Sequence, residues 1–401
     1  MGMLDRFAGS PRDRFARRVL ATVRSAGMAQ AWYDSDRFAV AYRREPGGDA
    51  PDGWIYLGNV FHECQGARPA ERDERIAGLV ESVVHSPGPP QTWQEARADL
   101  RPVLRSGTFA LNVPEPAKAP LRRPALPYLD ELVVLDRPTS MAYVSHDMAA
   151  TWGVPATEVF ATARNNLAAG ASLPEPSGEQ NAVLRFVDDG SGYFVSRLLL
   201  DGWLGALATH VRGRPVAFVP DHNTLMVASD EPGLLGELFR LAEKEYEEAA
   251  RQLSPQAYTL DPYGRVEPYQ APEGHPLAAA VGRADALLAC AEYAAQGEWL
   301  TELYERTGRD VFVATLSRAG RPDGTAFTFA TWGEDVDTLL PRADHVAFAS
   351  DRFPPFFVSW DVLTREVDLT PVEGLRPERY RLTGWPPEPV VERLRSRAAM
   401  P

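Results

Sequence analysis

The stretch PQAYTLDPYGRVEPYQAPEGHP, residues 255–276, determines where we expect the main domain boundary of the chain. It contains five prolines. Each proline fixes φ and removes a backbone N–H donor, so this density is unfavourable for a helix interior or a central strand. We therefore expect an accessible linker here, with the main domain boundary inside it.

The segments on both sides of this stretch combine helical and strand patterns. Downstream, apolar spacing predicts a long helix over 277–306, followed by several short strands. Upstream, two apolar runs at 215–219 and 224–228 flank a turn and predict a β-hairpin, followed by an acidic helix over 231–252. A helix is also predicted over 193–210.

The N-terminal part shows the same mixture of elements. Phe15, Val19 and Val23 recur at helical spacing and predict an amphipathic helix over 11–26. A strand is predicted over 54–61, and a second proline-rich segment, 114–127, is expected to be a linker or an extended surface crossing.

These patterns predict an α+β fold made of two or three small mixed units of sheet and helix. The predicted parts are an N-terminal α+β unit, a middle α+β unit and a separate C-terminal α+β domain, at 1–113, 128–254 and 277–401.

Composition excludes several functional classes. The 401 residues carry a formal net charge of −13, which is opposite to that of a generic nucleic-acid or anionic-membrane binder. No run reaches the roughly 18–20 apolar residues that a membrane-spanning helix needs. The two cysteines, Cys64 and Cys290, cannot form a disulfide scaffold, so we expect reduced thiols in a cytoplasmic protein.

Familiar catalytic and cofactor motifs are missing from the sequence. It contains no G-x-x-x-x-G-K-[ST] loop, no G-x-G-x-x-G after a predicted strand, no H-E-x-x-H and no C-x-x-C. We therefore predict no catalytic residue, no cofactor and no metal site.

Arg105 and Arg197 are the most conspicuous polar residues, because each stands beside a serine and next to an apolar run. A guanidinium in such a place needs a partner. One reading is a buried salt bridge to Asp188, Asp201 or Asp221; the other is a pocket for an anion, since the planar fork matches carboxylate and phosphate. The predicted ligand-binding set is Arg105, Ser106, Tyr193, Ser196, Arg197, Asp221 and His222.

The segment around Arg105, PVLRSGTF at 102–109, resembles the corresponding segment of the YtpQ-like proteins, an uncharacterised bacterial family with a domain of unknown function. Three further motifs follow in the family's order: Trp152 with RNNL at 164–167, GY at 192–193 with SRL at 196–198, and VPD at 219–221 with TL at 224–225. The resemblance covers about residues 12–250 and implies an α+β cytoplasmic protein without an established activity. Residues 255–401 have no counterpart in it.

Two functional hypotheses follow. The first is a binding or adaptor protein whose partner is an unknown protein or a small anionic ligand. The alternative is a hydrolase-like enzyme that holds a small anionic substrate with Arg105 and Arg197 and uses Asp221 and His222 as acid–base groups. Convergence of these residues on one solvent-open pocket would favour the enzyme or a small-ligand site.

Overall fold

The computed structural model describes residues 10–35, 38–43, 53–84, 90–113, 115–137, 140–173, 183–187, 192–272, 274–321, 323–334 and 336–398. Helices alternate with several small sheets, which confirms the predicted α+β class. The chain divides into two compact units. The N-terminal unit comprises Met1–Asp99 with Val134–Ala142, and the larger unit comprises Leu100–Val133 with Tyr143–Pro401.

The N-terminal unit contains helices around a small antiparallel sheet of order β1-β2-β3. Its first elements are α1 (Pro11–Ser25), β1 (Ala31–Asp34), β2 (Ala39–Tyr42), β3 (Gly53–Tyr56), α2 (Gly58–Glu63), α3 (Pro69–Val84) and α4 (Trp93–Ala96).

Helix α1 confirms the prediction from periodicity. The Ser10 hydroxyl accepts the Asp13 N–H at 3.1 Å, and the Asp13 carboxylate accepts the Ser10 N–H at 3.0 Å. This reciprocal capping box satisfies two N–H groups that the helix itself leaves unpaired. Phe15, Val19 and Val23 are buried on the face that packs into the core of the unit.

The strand predicted over 54–61 is wrong in its second half. Strand β3 ends at Tyr56, and the Phe61 N–H donates to the Leu57 carbonyl at 2.9 Å as α2 begins. A short apolar run fits a buried strand and a buried helix equally well, and here Val60 enters the core from a helix. Cys64 therefore lies in the turn that follows a helix.

The next sheet along the chain has four strands, of order β4-β6-β5 with β7 paired to β6. The elements from here to the hairpin are β4 (Leu100–Ser106), β5 (Arg122–Leu126), β6 (Leu129–Arg137), β7 (Ser140–Tyr143), α5 (His146–Trp152), α6 (Ala156–Gly170), β8 (Val183–Val187), α7 (Trp203–Ala206) and α8 (Ala208–Val211).

The helix predicted over 193–210 is interrupted. A 3₁₀ segment spans Val195–Leu199, and the chain then passes through Gly202 at φ +75° before α7 and α8. Glycine adopts this left-handed conformation without a steric penalty, so the turn breaks the helix despite the continuous apolar pattern.

The predicted hairpin is confirmed within a five-stranded antiparallel sheet. Strands β9 (Pro215–Asp221) and β10 (Thr224–Ser229) pair with Phe218 opposite Met226. Helix α9 (Pro232–Glu248) follows, and then β11 (Gln252–Leu260) and β12 (Val266–Pro268) complete the order β12-β11-β9-β10-β8.

The prediction of an accessible linker over 255–276 is wrong for residues 255–260, because β11 is an interior strand of this sheet, whereas Tyr263 in the turn after it is exposed. Residues from Leu253 to Thr259 are buried. Pro255 lies where the register with β9 shifts, and Pro268 ends the edge strand β12. Bulges and edges are the places where a strand tolerates the missing N–H of proline. The same reasoning applies to Pro124, which lies in the edge strand β5 of the segment expected to be irregular.

Helix α10 (Ala278–Thr307) matches the long helix predicted over 277–306. The elements after it are β13 (Phe312–Val313), β14 (Ser317–Gly320), β15 (Ala326–Gly333), β16 (Thr338–Pro341), β17 (His345–Ser350), β18 (Phe353–Ser359), α11 (Trp360–Glu366), β19 (Thr370–Pro371), β20 (Arg379–Leu382) and α12 (Glu388–Ser396). They form two four-stranded sheets, ordered β13-β16-β20-β19 and β14-β15-β17-β18.

Helix α10 is buried on two sides and connects the sheets of the larger unit. Val281 and Ala284 pack into the core formed with α9 and the five-stranded sheet. Ala289 and Tyr293 pack into the core of the C-terminal sheets. Residues 277–401 therefore belong to the same compact unit as residues 143–254.

Candidate functional site

Arg105 lies on β4 with its side chain buried in the larger unit. Its Nε donates to the Tyr143 hydroxyl at 2.7 Å, and its Nη1 donates to the Leu104 carbonyl at 2.7 Å. The guanidinium thus has internal oxygen partners on two of its nitrogens.

Arg197 is also buried, in the 3₁₀ segment that carries the equally buried Ser196. Its Nε donates to the Gly192 carbonyl and its Nη1 to the Ser172 carbonyl, both at 3.1 Å. Its guanidinium also lies over the ring of Phe194, 4.3 Å from the centroid. These contacts hold together backbone segments that are distant in sequence.

The predicted acid–base pair lies in the turn between β9 and β10. Asp221 Oδ1 accepts the N–H groups of Asn223 at 2.6 Å and Thr224 at 2.9 Å, so this carboxylate caps its own turn. Burial, together with the positive charges of Arg105 and Arg251, holds the pKa of His222 well below its usual range. The structure thus brings Arg105 near His222 and keeps the imidazole neutral at physiological pH.

Tyr193 precedes the 3₁₀ segment with φ +49°, an uncommon conformation for a non-glycine residue. Neither Tyr193 nor any of the other six predicted site residues lines the polar cleft of the larger unit that is described below. The predicted residues make contacts inside the protein, and a different set of residues lines the cleft.

Ser106 leads to a buried carboxyl group that sequence reasoning missed. Its hydroxyl lies 3.1 Å from the hydroxyl of Thr108, the residue that contacts Glu292 on α10. Glu292 Oε2 accepts the Thr108 N–H at 3.0 Å. Burial raises the pKa of Glu292 to about 7, although hydrogen bonding to Thr108 opposes the shift.

Gly107 allows this close approach. Its N–H donates to the Tyr128 carbonyl at 2.6 Å, and a Cβ at this position would lie 3.2 Å from the same oxygen. It would also lie 3.6 Å from Glu292 Oε2. The glycine therefore suits a position where two backbone segments and a helix meet.

A polar cleft of about 610 Å³ lies between α10, the 127–128 turn and the C-terminal sheets. Three carboxylates line it, from Asp285 on α10, Asp344 after β16 and Asp361 on α11. Arg342 is the one cationic side chain among its lining residues. Tyr128 and Trp360 add aromatic surface.

Asp285 is positioned by a buried chain of hydrogen bonds. Its Oδ1 accepts Gln256 Nε2 at 2.7 Å, and Gln256 Oε1 accepts the Tyr258 hydroxyl at 3.1 Å. The Tyr258 hydroxyl in turn lies 2.7 Å from Ser254 Oγ. Burial raises the pKa of Asp285, and the nearby carboxylate of Asp344 adds to the shift.

The opposite wall is fixed by Asp344. Its Oδ2 accepts the Thr328 N–H at 2.7 Å and the Thr328 hydroxyl at 2.9 Å. The Trp360 backbone N–H donates to the Asp344 backbone carbonyl at 2.9 Å, which ties the start of α11 to the same wall. On the other side, burial raises the pKa of Tyr128 to about 12, so its hydroxyl keeps its proton. The cleft thus presents negative charge beside aromatic rings.

No group of three or more His, Cys, Asp or Glu side chains within the described ranges is arranged to hold a metal ion. Among the described helices, none is both long and apolar enough to cross a membrane. Both cysteines are free thiols. Comparisons with protein-family models, with curated proteins and with solved structures find no match for this chain.

Proposed function

We propose that this protein binds a small organic cation, bearing a guanidinium group, in the cleft between α10 and the C-terminal sheets. The observation that carries the proposal is the lining of this cleft, where carboxylates outnumber guanidinium groups three to one beside two aromatic rings.

Each part of this lining suits a cation. A charged hydrogen bond between a carboxylate and a guanidinium or ammonium group is among the stronger polar contacts in proteins. The faces of Tyr128 and Trp360 attract cations through their quadrupoles. Gln256 and Thr328 hold Asp285 and Asp344 in place before any ligand arrives, which lowers the cost of ordering the site.

The proposal keeps the binding class predicted from the sequence and changes the ligand. The anion site at Arg105 and Arg197, the YtpQ-like resemblance and the cytoplasmic location stay predictions. Arg105 and Arg197 already donate to internal oxygens, whereas the cleft carboxylates face a volume of about 610 Å³.

Calorimetric titration with three related probes tests the charge requirement. Agmatine carries a guanidinium and an ammonium group, arginine adds a carboxylate that could meet Arg342, and citrulline replaces the guanidinium by a neutral urea. We expect agmatine and arginine to bind at least roughly tenfold more tightly than citrulline, because only they bring a guanidinium to the carboxylates. Equal affinities for all three probes would contradict the proposal.

Substitution of Asp285 tests whether agmatine binds in the cleft. Asp285→Asn removes the charge and preserves the shape, so we expect agmatine affinity to fall by about tenfold. Asp310→Asn is the matched control, since Asp310 is exposed and lies outside the cleft lining. Affinity should also fall in the wild type as the pH is lowered through the raised pKa of Asp285, because the protonated carboxyl no longer attracts the cation.

A further inference from the structure

A second cavity, of about 520 Å³, lies inside the N-terminal unit. Helix α1 contributes Arg14, Phe15 and Arg18 to its wall, and α3 contributes Arg72. Phe61 at α2 and Cys64 in the turn after it complete the apolar part. This cavity shares no residue with the cleft of the larger unit.

The charge of this cavity is opposite to that of the cleft. Three guanidinium groups line it, and its eight lining residues include no carboxylate. Arg18 pairs with Asp73 at 2.5 Å, but both side chains are about half exposed, and such pairs are weak. Arg72 Nη2 donates to the Ala67 carbonyl at 3.2 Å, a neutral acceptor that leaves the guanidinium charge in place.

The floor of the cavity is apolar and carries no charge of its own. The rings of Phe15 and Phe61 meet edge to face with their centroids 5.3 Å apart. Cys64 is only 3% exposed, and burial raises the pKa of its thiol. The thiol is therefore neutral at physiological pH and does not neutralise the arginines.

We propose that this cavity binds an organic anion that joins a phosphate or carboxylate group to an apolar body. The anionic group would accept hydrogen bonds from Arg14, Arg18 and Arg72, since the guanidinium fork matches both kinds of oxyanion. The apolar body would lie against the partly exposed Phe61, which gains hydrophobic free energy in proportion to the area buried.

Octyl phosphate, used below its micelle-forming concentration, is the probe for the experiment. Inorganic phosphate and octanol each supply one half of its chemistry. We expect octyl phosphate to bind the full chain at least tenfold more tightly than either half in calorimetric titration. Arg14→Gln and Arg72→Gln should each weaken its binding about tenfold, whereas Arg17→Gln, on the same helix but outside the cavity lining, should leave it unchanged.

The proposal is overturned if octyl phosphate fails to bind at millimolar concentration. Equal weakening by Arg14→Gln and Arg17→Gln would overturn it as well. Because agmatine binding tests a different unit, either proposal can fail without the other.

Discussion

Glu292 is buried on α10, where its carboxyl group meets the backbone and hydroxyl groups of residues 106–108. Removal from water disfavours the charged form, and the pKa rises from 4.5 to about 7. The folded protein therefore holds a proton on this group over a pH range in which the unfolded chain releases it. The contribution of Glu292 to the free energy of unfolding is present in full below about pH 4.5 and is lost as the pH rises through about 7.

Glu292→Gln imitates the protonated carboxyl and removes this pH dependence. As the pH rises from about 5 to about 8, we expect the free energy of unfolding of the variant to increase relative to that of the wild type, by up to roughly 3 kcal/mol. Chemical unfolding of both proteins at the two pH values measures the difference.

Glu298→Gln provides the control for this experiment, because Glu298 is an exposed carboxylate on the same helix. Its effect on the free energy of unfolding should stay small at both pH values. A Glu292→Gln effect that is the same at pH 5 and pH 8 would show that the buried carboxyl does not titrate in this range.

The contact between Glu292 and Thr108 spans 184 positions of the chain, so no local pattern predicts it. The one signal available in the sequence is a single carboxylate within the alanine-rich run over 286–295. Such a residue on an apolar helix face needs a partner, but its identity depends on the tertiary fold. Local motifs did identify Ser106, although the carboxyl group that meets its neighbour Thr108 lies on a distant helix.

Two tyrosines, one in strand β11 and one in the turn after it, should differ in how fast chymotrypsin cleaves the chain beside them. Tyr258 is fully buried within the strand, whereas Tyr263 is 84% exposed in the turn that follows. We expect native protein to be cut after Tyr263 and to resist cutting after Tyr258 by roughly a hundredfold or more, because cleavage there requires the sheet to open. Mass spectrometry of the fragments at early times measures both rates.

The two halves should remain associated after cleavage at Tyr263, since β11 and α10 share the core that Val281 and Ala284 enter. Size-exclusion chromatography of the nicked protein checks this. Release of a stable fragment ending near residue 250 would support the linker predicted from the proline density and contradict the interior strand.

Elements with strong local patterns were predictable. Residues close together in the sequence determine the 3.6-residue periodicity of α1, the length of α10 and the turn between β9 and β10. Strand β11 was missed because proline content outweighed its apolar residues, and the bulge that accommodates Pro255 depends on its pairing with β9.

At the scale of the molecule, α10 explains why the predicted C-terminal domain is not separate. Its alanine-rich faces let it lie between two cores, and the polar residues it carries reach both the cleft and the 106–108 segment. The cleft gathers residues from Pro127 to Asp361. Residues so far apart in the sequence form no local motif. The sequence motifs therefore pointed to Arg105 and Arg197 as the predicted site instead.

A crystal structure of the protein with agmatine tests the central claim most directly, because it locates the ligand without relying on affinity. We predict density for the guanidinium group within hydrogen-bond distance of Asp285 or Asp344, with the alkyl chain against Tyr128 or Trp360. A cleft that stays free of agmatine at saturating concentration, or agmatine bound only elsewhere on the protein, would contradict the account.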